Sequence, residues 1–328
     1  MRLTDAQTAS FRENGYLLLE RLFEEHELAP VVSFLDAEVK RRAEQLVRDG
    51  LLSQTFEEYG FERQLAKISE ENGALVQALW DEGLVHATLF DLIRHPKLLA
   101  LAEQLCGSEE LVAANGYWVR PKAPGNGIFE FPWHQDAGYM HPECEKVMVL
   151  AAWVPLVDST EERGCLWVRR YPPAIGKTLP HRQAWSQPTI YIPDANLADF
   201  PAVKAAVPKG GAVLFTHLTP HASFENHSDA VRWSFDVRYQ PASAPTNARY
   251  RRLPEEGELE GPLRFGCLPS EPDFLVQSRL RPEEVVTDPE AFVRLRREFV
   301  PEERARRWPR DGEPAGARGR GGSNGDAG

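Results

Sequence analysis

From about residue 108 to residue 239 the chain consists of short runs rich in Val, Trp, Tyr and Phe, broken by Pro, Gly and Asn-Gly. LVAANGYWV, KVMVLAAWVPLV, GCLWVRRY, TIYI, GAVLF and VRWSFDVRY each read as a short strand bounded by turn formers. Short strands in close succession predict a sandwich or barrel rather than alternating βαβ units. This β-rich block, about 108–240, is the expected core of the chain.

The flanks read differently. Thr4, with Gln7 three residues on, has the spacing of a capping box, and Gly15 ends the helix it starts. YLLLE follows as a short strand, and residues 24–50 have helical periodicity. Further helices are expected at Gly73–Trp80, Leu84–Ile93 and Pro96–Leu105, which makes residues 1–107 mainly helical. After the core, TDPEAFVRLRREFV places Asp288 as a cap and Pro289 at the first helical position, so the extension 241–312 should contain a closing helix. Residues 1–312 are expected to form one domain, and the Gly-rich stretch 313–328 a disordered tail.

The net charge of −11 argues against general affinity for nucleic acid or anionic membranes, while leaving room for a local basic pocket. Cys106, Cys144, Cys165 and Cys267 are scattered and form no CxxC pair, which weakens both a disulfide framework and a structural zinc site. The first residues lack a basic stretch followed by an apolar run, and no window is apolar for long enough to cross a bilayer. The expected location is the cytoplasm.

FPWHQDAGYM, residues 131–140, carries the first chemical signal. Side chains at i and i+2 of an extended segment share a face, so His134 and Asp136 project together while Gln135 turns away. Two ligands of one metal ion would fit that geometry, and so would a local hydrogen bond on a strand edge. Downstream, His217 and His221 are four apart, but Pro220 between them and the Gly210-Gly211 turn before them argue against a helical ligand pair. In VRWSFDVRY, alternation puts Arg232, Ser234 and Asp236 on one face and Trp233 and Phe235 on the other. An arginine in that setting is either a rim residue or an anchor for an anion, a role its permanently charged planar fork suits.

Taken in order, His134-x-Asp136, then His221, then Arg232 eleven residues later, the chain resembles the phytanoyl-CoA dioxygenase family over roughly residues 5–240. TDAQTASFRENGYLLLE, FPWHQDAGY, MVLAAWVPLVDSTEERGCLWV and PHASFENHSDAVRWSFDVRY carry the resemblance. It implies a double-stranded β-helix (a cupin-like jelly roll) with flanking helices, and an oxygenase that uses Fe(II) and 2-oxoglutarate. It further implies dioxygen and a small organic molecule as reactants, with succinate and CO2 released. His134, Asp136 and His221 would be the iron ligands, two histidines and one carboxylate on one face of the ion. Arg232 would hold the far carboxylate of 2-oxoglutarate, with Ser234 adding a hydroxyl and Trp153 lining the cosubstrate site. Asn115 and Tyr117 are candidates to face the pocket, Cys165 is expected to be simply buried, and Asn226 to support its loop. Halogenating relatives carry Ala or Gly where Asp136 stands, so hydroxylation is expected here.

The chain departs from the family after GCLWV. Relatives commonly continue with a Pro-Gly-Ser-His turn, whereas this chain has RRYPPAIGK and reaches His181 only later. Arg169, Arg170 and Lys177 in that stretch are expected to be solvated. No basic cradle for coenzyme A is evident, so phytanoyl-CoA itself is not the expected substrate. Residues 50–72 and the region after Tyr250 are candidate substrate walls or a lid. Two rival readings are a cupin-type metalloenzyme that does not use 2-oxoglutarate and a non-catalytic jelly-roll binding module. Arg232 argues against the first and the complete set of ligands against the second.

Overall fold

The alternation in VRWSFDVRY organises the molecule. In the computed structural model, which describes residues 1–81, 84–125, 130–140, 142–183, 190–244 and 274–298, this segment is a strand buried on both faces. Trp233, Phe235, Val237 and Tyr239 join the main apolar core, while Arg232, Ser234, Asp236 and Arg238 face the opposite way and are also buried. Sheets normally bury their apolar face and leave the polar one in water. A polar face enclosed in a protein must find partners or ligands, because burying a polar group without one costs several kcal/mol, roughly 2–7.

The helices are α1 (Asp5–Asn14), α2 (Glu25–Arg48), α3 (Gly60–Glu71), α4 (Ala74–Asp81), α5 (Ala87–Ile93), α6 (Pro96–Cys106) and α7 (Pro289–Glu298). The capping box forms as expected: Gln7 N–H donates to Thr4 Oγ1, and Thr4 N–H donates to Gln7 Oε1 at 2.9 Å. Gly15 ends α1 at φ +83, and a Cβ there would lie 2.2 Å from the Tyr171 carbonyl, so no other residue fits that turn. Asp288 caps α7, accepting from the N–H groups of Glu290 and Ala291. Two expectations are corrected. α5 begins at Ala87 rather than Leu84, because the His86 ring caps it by accepting from Thr88 N–H. Residues 50–72 include α3, which buries Leu65, Ala66 and Ile68 and stacks Phe61 on Trp233 at 5.1 Å, on the outer face of the sheet.

The strands are β1 (Tyr16–Leu19), β2 (Leu111–Lys122), β3 (Phe131–His134), β4 (Leu150–Pro155), β5 (Leu166–Arg169), β6 (Arg182–Gln183), β7 (Ile190–Tyr191), β8 (Ala202–Ala205), β9 (Ala212–Thr216), β10 (His221–Ser223), β11 (Arg232–Pro241) and β12 (Phe274–Gln277). One sheet runs β1-β9-β4-β11-β2-β12, a second runs β3-β10-β5-β8, and β6 pairs with β7. The ladders are antiparallel. Between the sheets Ala151, Trp153, Val213 and Phe215 meet Leu166, Val168 and Ala205, the interior of a jelly roll. Helices cover the outside of the larger sheet, where Phe292 of α7 packs on Tyr117. Of the region after Tyr250, β12 extends the larger sheet at β2. The expected tail 313–328, Cys267 and residues 245–273 lie outside the described residues.

Candidate metal centre and cosubstrate pocket

The smaller sheet brings the predicted ligands together. His134 ends β3, Gln135 continues extended, and Asp136 opens a 3-10 turn through Tyr139. His221 starts β10 directly opposite His134 in the ladder. The two imidazoles lie 4.2 Å apart between ring centres, and His221 Nε2 is 3.8 Å from Asp136 Oδ1. One ligand atom from each of His134, Asp136 and His221 falls within 4.8 Å of the others, and all three residues are buried.

Backbone carbonyls orient both rings. His134 Nδ1 donates to Pro132 O at 2.8 Å and His221 Nδ1 to Thr219 O at 3.0 Å, which leaves each Nε2 as the free lone pair. Burial pushes both imidazoles below their ordinary pKa, so they stand neutral, as metal ligands must. Burial alone would raise Asp136, but the Arg238 guanidinium together with the two imidazoles outweighs it and holds the carboxyl well below its usual range. Two neutral imidazoles and one carboxylate are a donor set that suits Fe(II), and the residues present fit that ion. Gln135 turns away as expected; its side-chain amide donates to Leu218 O at 2.5 Å.

Arg232 sits further along the same enclosed face, on β11. Its guanidinium donates to Ser234 Oγ at 2.8 Å and to Ser223 Oγ at 3.2 Å, and lies over Trp153 at 5.2 Å. Its Nε has no partner among the described residues. Burial lowers its pKa to about 10. The predicted Arg232, Ser234 and Trp153 are therefore adjacent, and Trp153 also packs in the core between the sheets.

Three residues of this region were not foreseen. Lys122 pairs with Arg232 in the ladder, and its Nζ donates to the carbonyls of Ser223 and Phe224. Burial, reinforced by Arg232, pushes its amine down to about 6. A buried guanidinium beside a buried amine that an incoming anion would recharge suits a carboxylate. Ser223 is the second residue, two positions beyond His221 on β10 and so on the same face. Arg238 is the third; it donates to both Asp136 oxygens and to Asp236. It lies on the same alternating face as Arg232, which is the sequence signal that could have found it.

Other expectations resolve individually. Tyr117 faces the helical layer, donating to Leu84 O at 2.7 Å and packing on Phe235, so it does not line the pocket. The side chain of Asn115 lies outside the described residues. His181 is no ligand; its Nε2 accepts from Gln135 N–H at 3.0 Å and its Nδ1 donates to Leu179 O, and burial lowers its pKa to about 4. His217 donates to Cys144 O. Asn226 supports its loop, donating to the carbonyls of Lys122 and Ala230. Cys165 is buried, and burial pushes its thiol up to about 11. Arg169 corrects its expectation: its guanidinium lies over Trp133 at 4.4 Å and donates to Leu197 O and Phe200 O, clamping a loop instead of meeting solvent.

Comparison with known proteins gives the family. The family model described as phytanoyl-CoA dioxygenase matches residues 11–234, which include the three ligands, Arg232 and Ser234. The chain is 28% identical over 240 residues to an ectoine dioxygenase of Bordetella bronchiseptica, covering 69% of this chain and 71% of that protein. It is 29% identical over 261 residues to phytanoyl-CoA dioxygenase domain-containing protein 1 of Danio rerio, covering 70% of this chain and 87% of that one. Among solved structures, the apo form of the non-heme monooxygenase ThoJ shares the fold, with a TM-score of 0.51 at 20% identity over 73% of this chain and 79% of that one. No helix among the described residues is long and apolar enough to cross a membrane. The chain belongs to the phytanoyl-CoA dioxygenase family of Fe(II)- and 2-oxoglutarate-dependent oxygenases.

Proposed function

We propose that the chain hydroxylates a small organic molecule, with His134 Nε2, Asp136 and His221 Nε2 holding the iron and Arg232 holding the far carboxylate of 2-oxoglutarate. The observation that carries this reading is the convergence of three buried ligand atoms within 4.8 Å, with both imidazoles turned Nε2-inward by carbonyl partners. Arg232 supports it independently, because its buried fork has hydroxyl partners and an unused Nε. Ser234, Ser223 and Lys122 complete the carboxylate pocket in this reading, and Trp153 forms its wall.

The chemistry that iron and cosubstrate supply when bound is oxidation of a substrate C–H bond by dioxygen, coupled to decarboxylation of 2-oxoglutarate to succinate. This chain's residues orient the reactants and exclude side reactions. The presence of Asp136 as a third ligand favours hydroxylation over halogenation. Residues 1–312 are read as one oxygenase domain, since α3, α6 and α7 pack on the outer face of the larger sheet. A cytoplasmic location accords with the unpaired thiols of Cys106 and Cys165.

The test is Fe(II)-dependent turnover of 2-oxoglutarate to succinate. It should vanish in His134→Ala and Asp136→Ala, and undiminished succinate production by chelator-treated protein refutes the reading. Arg232→Ala should weaken 2-oxoglutarate binding far more than iron binding; equal cosubstrate affinity in that variant removes the anchor role.

A further inference from the structure

Arg120 stands on the same inner face as the cosubstrate anchor, opposite Ser234 in the β2–β11 ladder. Its guanidinium lies over three aromatic rings at once: Trp80 at 5.2 Å, Trp118 at 5.2 Å and Phe131 at 5.1 Å. Trp80 and Phe131 stack on each other at 5.6 Å, and Phe131 lies 5.9 Å from the ring of the ligand His134. Packing alone would close such a cluster over itself. Here all three rings are half-buried, and the Arg120 side chain keeps 20% of its surface exposed. The cluster is thus an aromatic frame open to solvent on one side and touching a metal ligand on the other.

The charges around the site are uneven. Arg120, Lys122, Arg232 and Arg238 face two buried carboxylates, Asp136 and Asp236. Fe(II) and a dianionic 2-oxo acid bring equal and opposite charge, so loading the site leaves the positive excess in place, even with Lys122 neutral. Glu130 and Glu225, which also act on Lys122, are partly exposed, where water screens them. The excess falls on one residue. Arg238 is engaged by both Asp136 and Asp236, and Arg232 with Lys122 faces the cosubstrate carboxylate. Arg120 has only a share of Asp236, which its Nε reaches at 3.0 Å, and its side chain keeps part of its surface exposed.

We propose that Arg120 selects the primary substrate: a small molecule with a flat apolar body that stacks on Trp80, Trp118 and Phe131, and a carboxylate that pairs with the guanidinium. This rests on the oxygenase reading and adds the substrate class. An arginine fixed by cation–π contacts and one carboxylate has little rotamer freedom left to lose, which favours a bidentate grip on an anion. The contact between Phe131 and His134 would place the far end of such a molecule beside the metal.

The test uses indole-3-acetate and its methyl ester as matched probes, with binding read by titration calorimetry in the metal-free protein. The acid should bind at least about tenfold more tightly than the ester, the scale of one charge-assisted bidentate pair. Arg120→Gln should bring the acid down to the level of the ester, and Trp80→Leu should weaken both probes together. Equal binding of acid and ester by the natural protein overturns the inference, as does an Arg120→Gln variant that keeps the preference. Anaerobic formation of the coloured Fe(II)–2-oxoglutarate complex separates the two readings. If it forms and the probes are not discriminated, only this inference fails; if it does not form, the oxygenase reading fails.

Discussion

Arg238 grips Asp136 through two hydrogen bonds, Nε to Oδ2 at 3.0 Å and Nη2 to Oδ1 at 3.1 Å, and extends its remaining nitrogen to Asp236. All three side chains are buried. The grip does two things for a carboxylate ligand. It fixes the plane of the group, and it keeps the group ionised where burial alone would protonate it. The charge on Arg238 is secured in return, because Asp136 and Asp236 outweigh the effect of its own burial and raise its pKa.

Arg238→Lys keeps the charge and loses the fork. Iron affinity should fall about 10–100-fold, the usual cost of removing a group that orients a ligand. The defect should deepen in acid. In the natural protein the folded-state pKa of Asp136 is depressed, so its ionised form persists until the pH falls through that low value. Without the fork's hydrogen bonds the carboxyl is less strongly depressed, and protons compete with metal at a higher pH. Fe(II) titrations of both proteins at neutral and mildly acidic pH check this; parallel affinities at both would sink it.

Lys122 gives a second pH effect of opposite origin. Burial lowers its amine to about 6, so it is neutral above that pH in the cosubstrate-free protein. A bound dianion favours the charged amine, and a proton should be taken up with 2-oxoglutarate. Affinity should therefore decline as pH rises above about 6. The free protein should also gain stability over the range from about 6 to the ordinary lysine value, because only the unfolded chain then carries the proton. Calorimetry in two buffers of different ionisation enthalpy reads the proton count, which should be near zero in Lys122→Met. No uptake by the natural protein at mildly alkaline pH would remove Lys122 from the cosubstrate pocket.

Much of this site was legible in the sequence, for a local reason. His134 and Asp136 share an extended segment, and Arg232 and Ser234 share a strand, so spacing alone puts each pair on one face. The cross-strand partners were not legible. Asp136 and Arg238 are 102 residues apart, and nothing near either names the other. Lys122 meets Arg232 only through the β2–β11 register, which shifts between Val237 and Arg238. The open facing of Tyr117 has the same root. Once Lys122, Arg120 and Trp118 face inward, Tyr117 must face outward, but that parity could be assigned only from the ladder. α3 escaped notice because Gly60 interrupts a Glu- and Gln-rich stretch whose buried face includes a polar residue, Gln64, satisfied by the Thr55 carbonyl.

Tyr117→Phe isolates that facing. The hydroxyl is buried and donates to Leu84 O, so its removal leaves a carbonyl without its partner. Stability should fall by about 1–2 kcal/mol, read from denaturant midpoints, while the KM for 2-oxoglutarate is unchanged. A raised KM with unchanged stability would return Tyr117 to the pocket.

The anchor can also be tested without iron chemistry. Arg232 is a buried cation whose side-chain partners are hydroxyls, so the metal-free protein carries its desolvation cost uncompensated. Glutarate has the two carboxylates of 2-oxoglutarate and lacks the oxo group that chelates metal. It should therefore raise the Tm of metal-free protein, with a stabilisation of about 2.7 kcal/mol when present at about one hundred times its Kd. Arg232→Met should abolish the glutarate shift and leave the shift produced by a divalent metal in place, because the His134–Asp136–His221 cluster does not depend on Arg232. If glutarate stabilises Arg232→Met as well as the natural protein, the dicarboxylate binds elsewhere and the pocket between Ser223 and Ser234 loses its assignment.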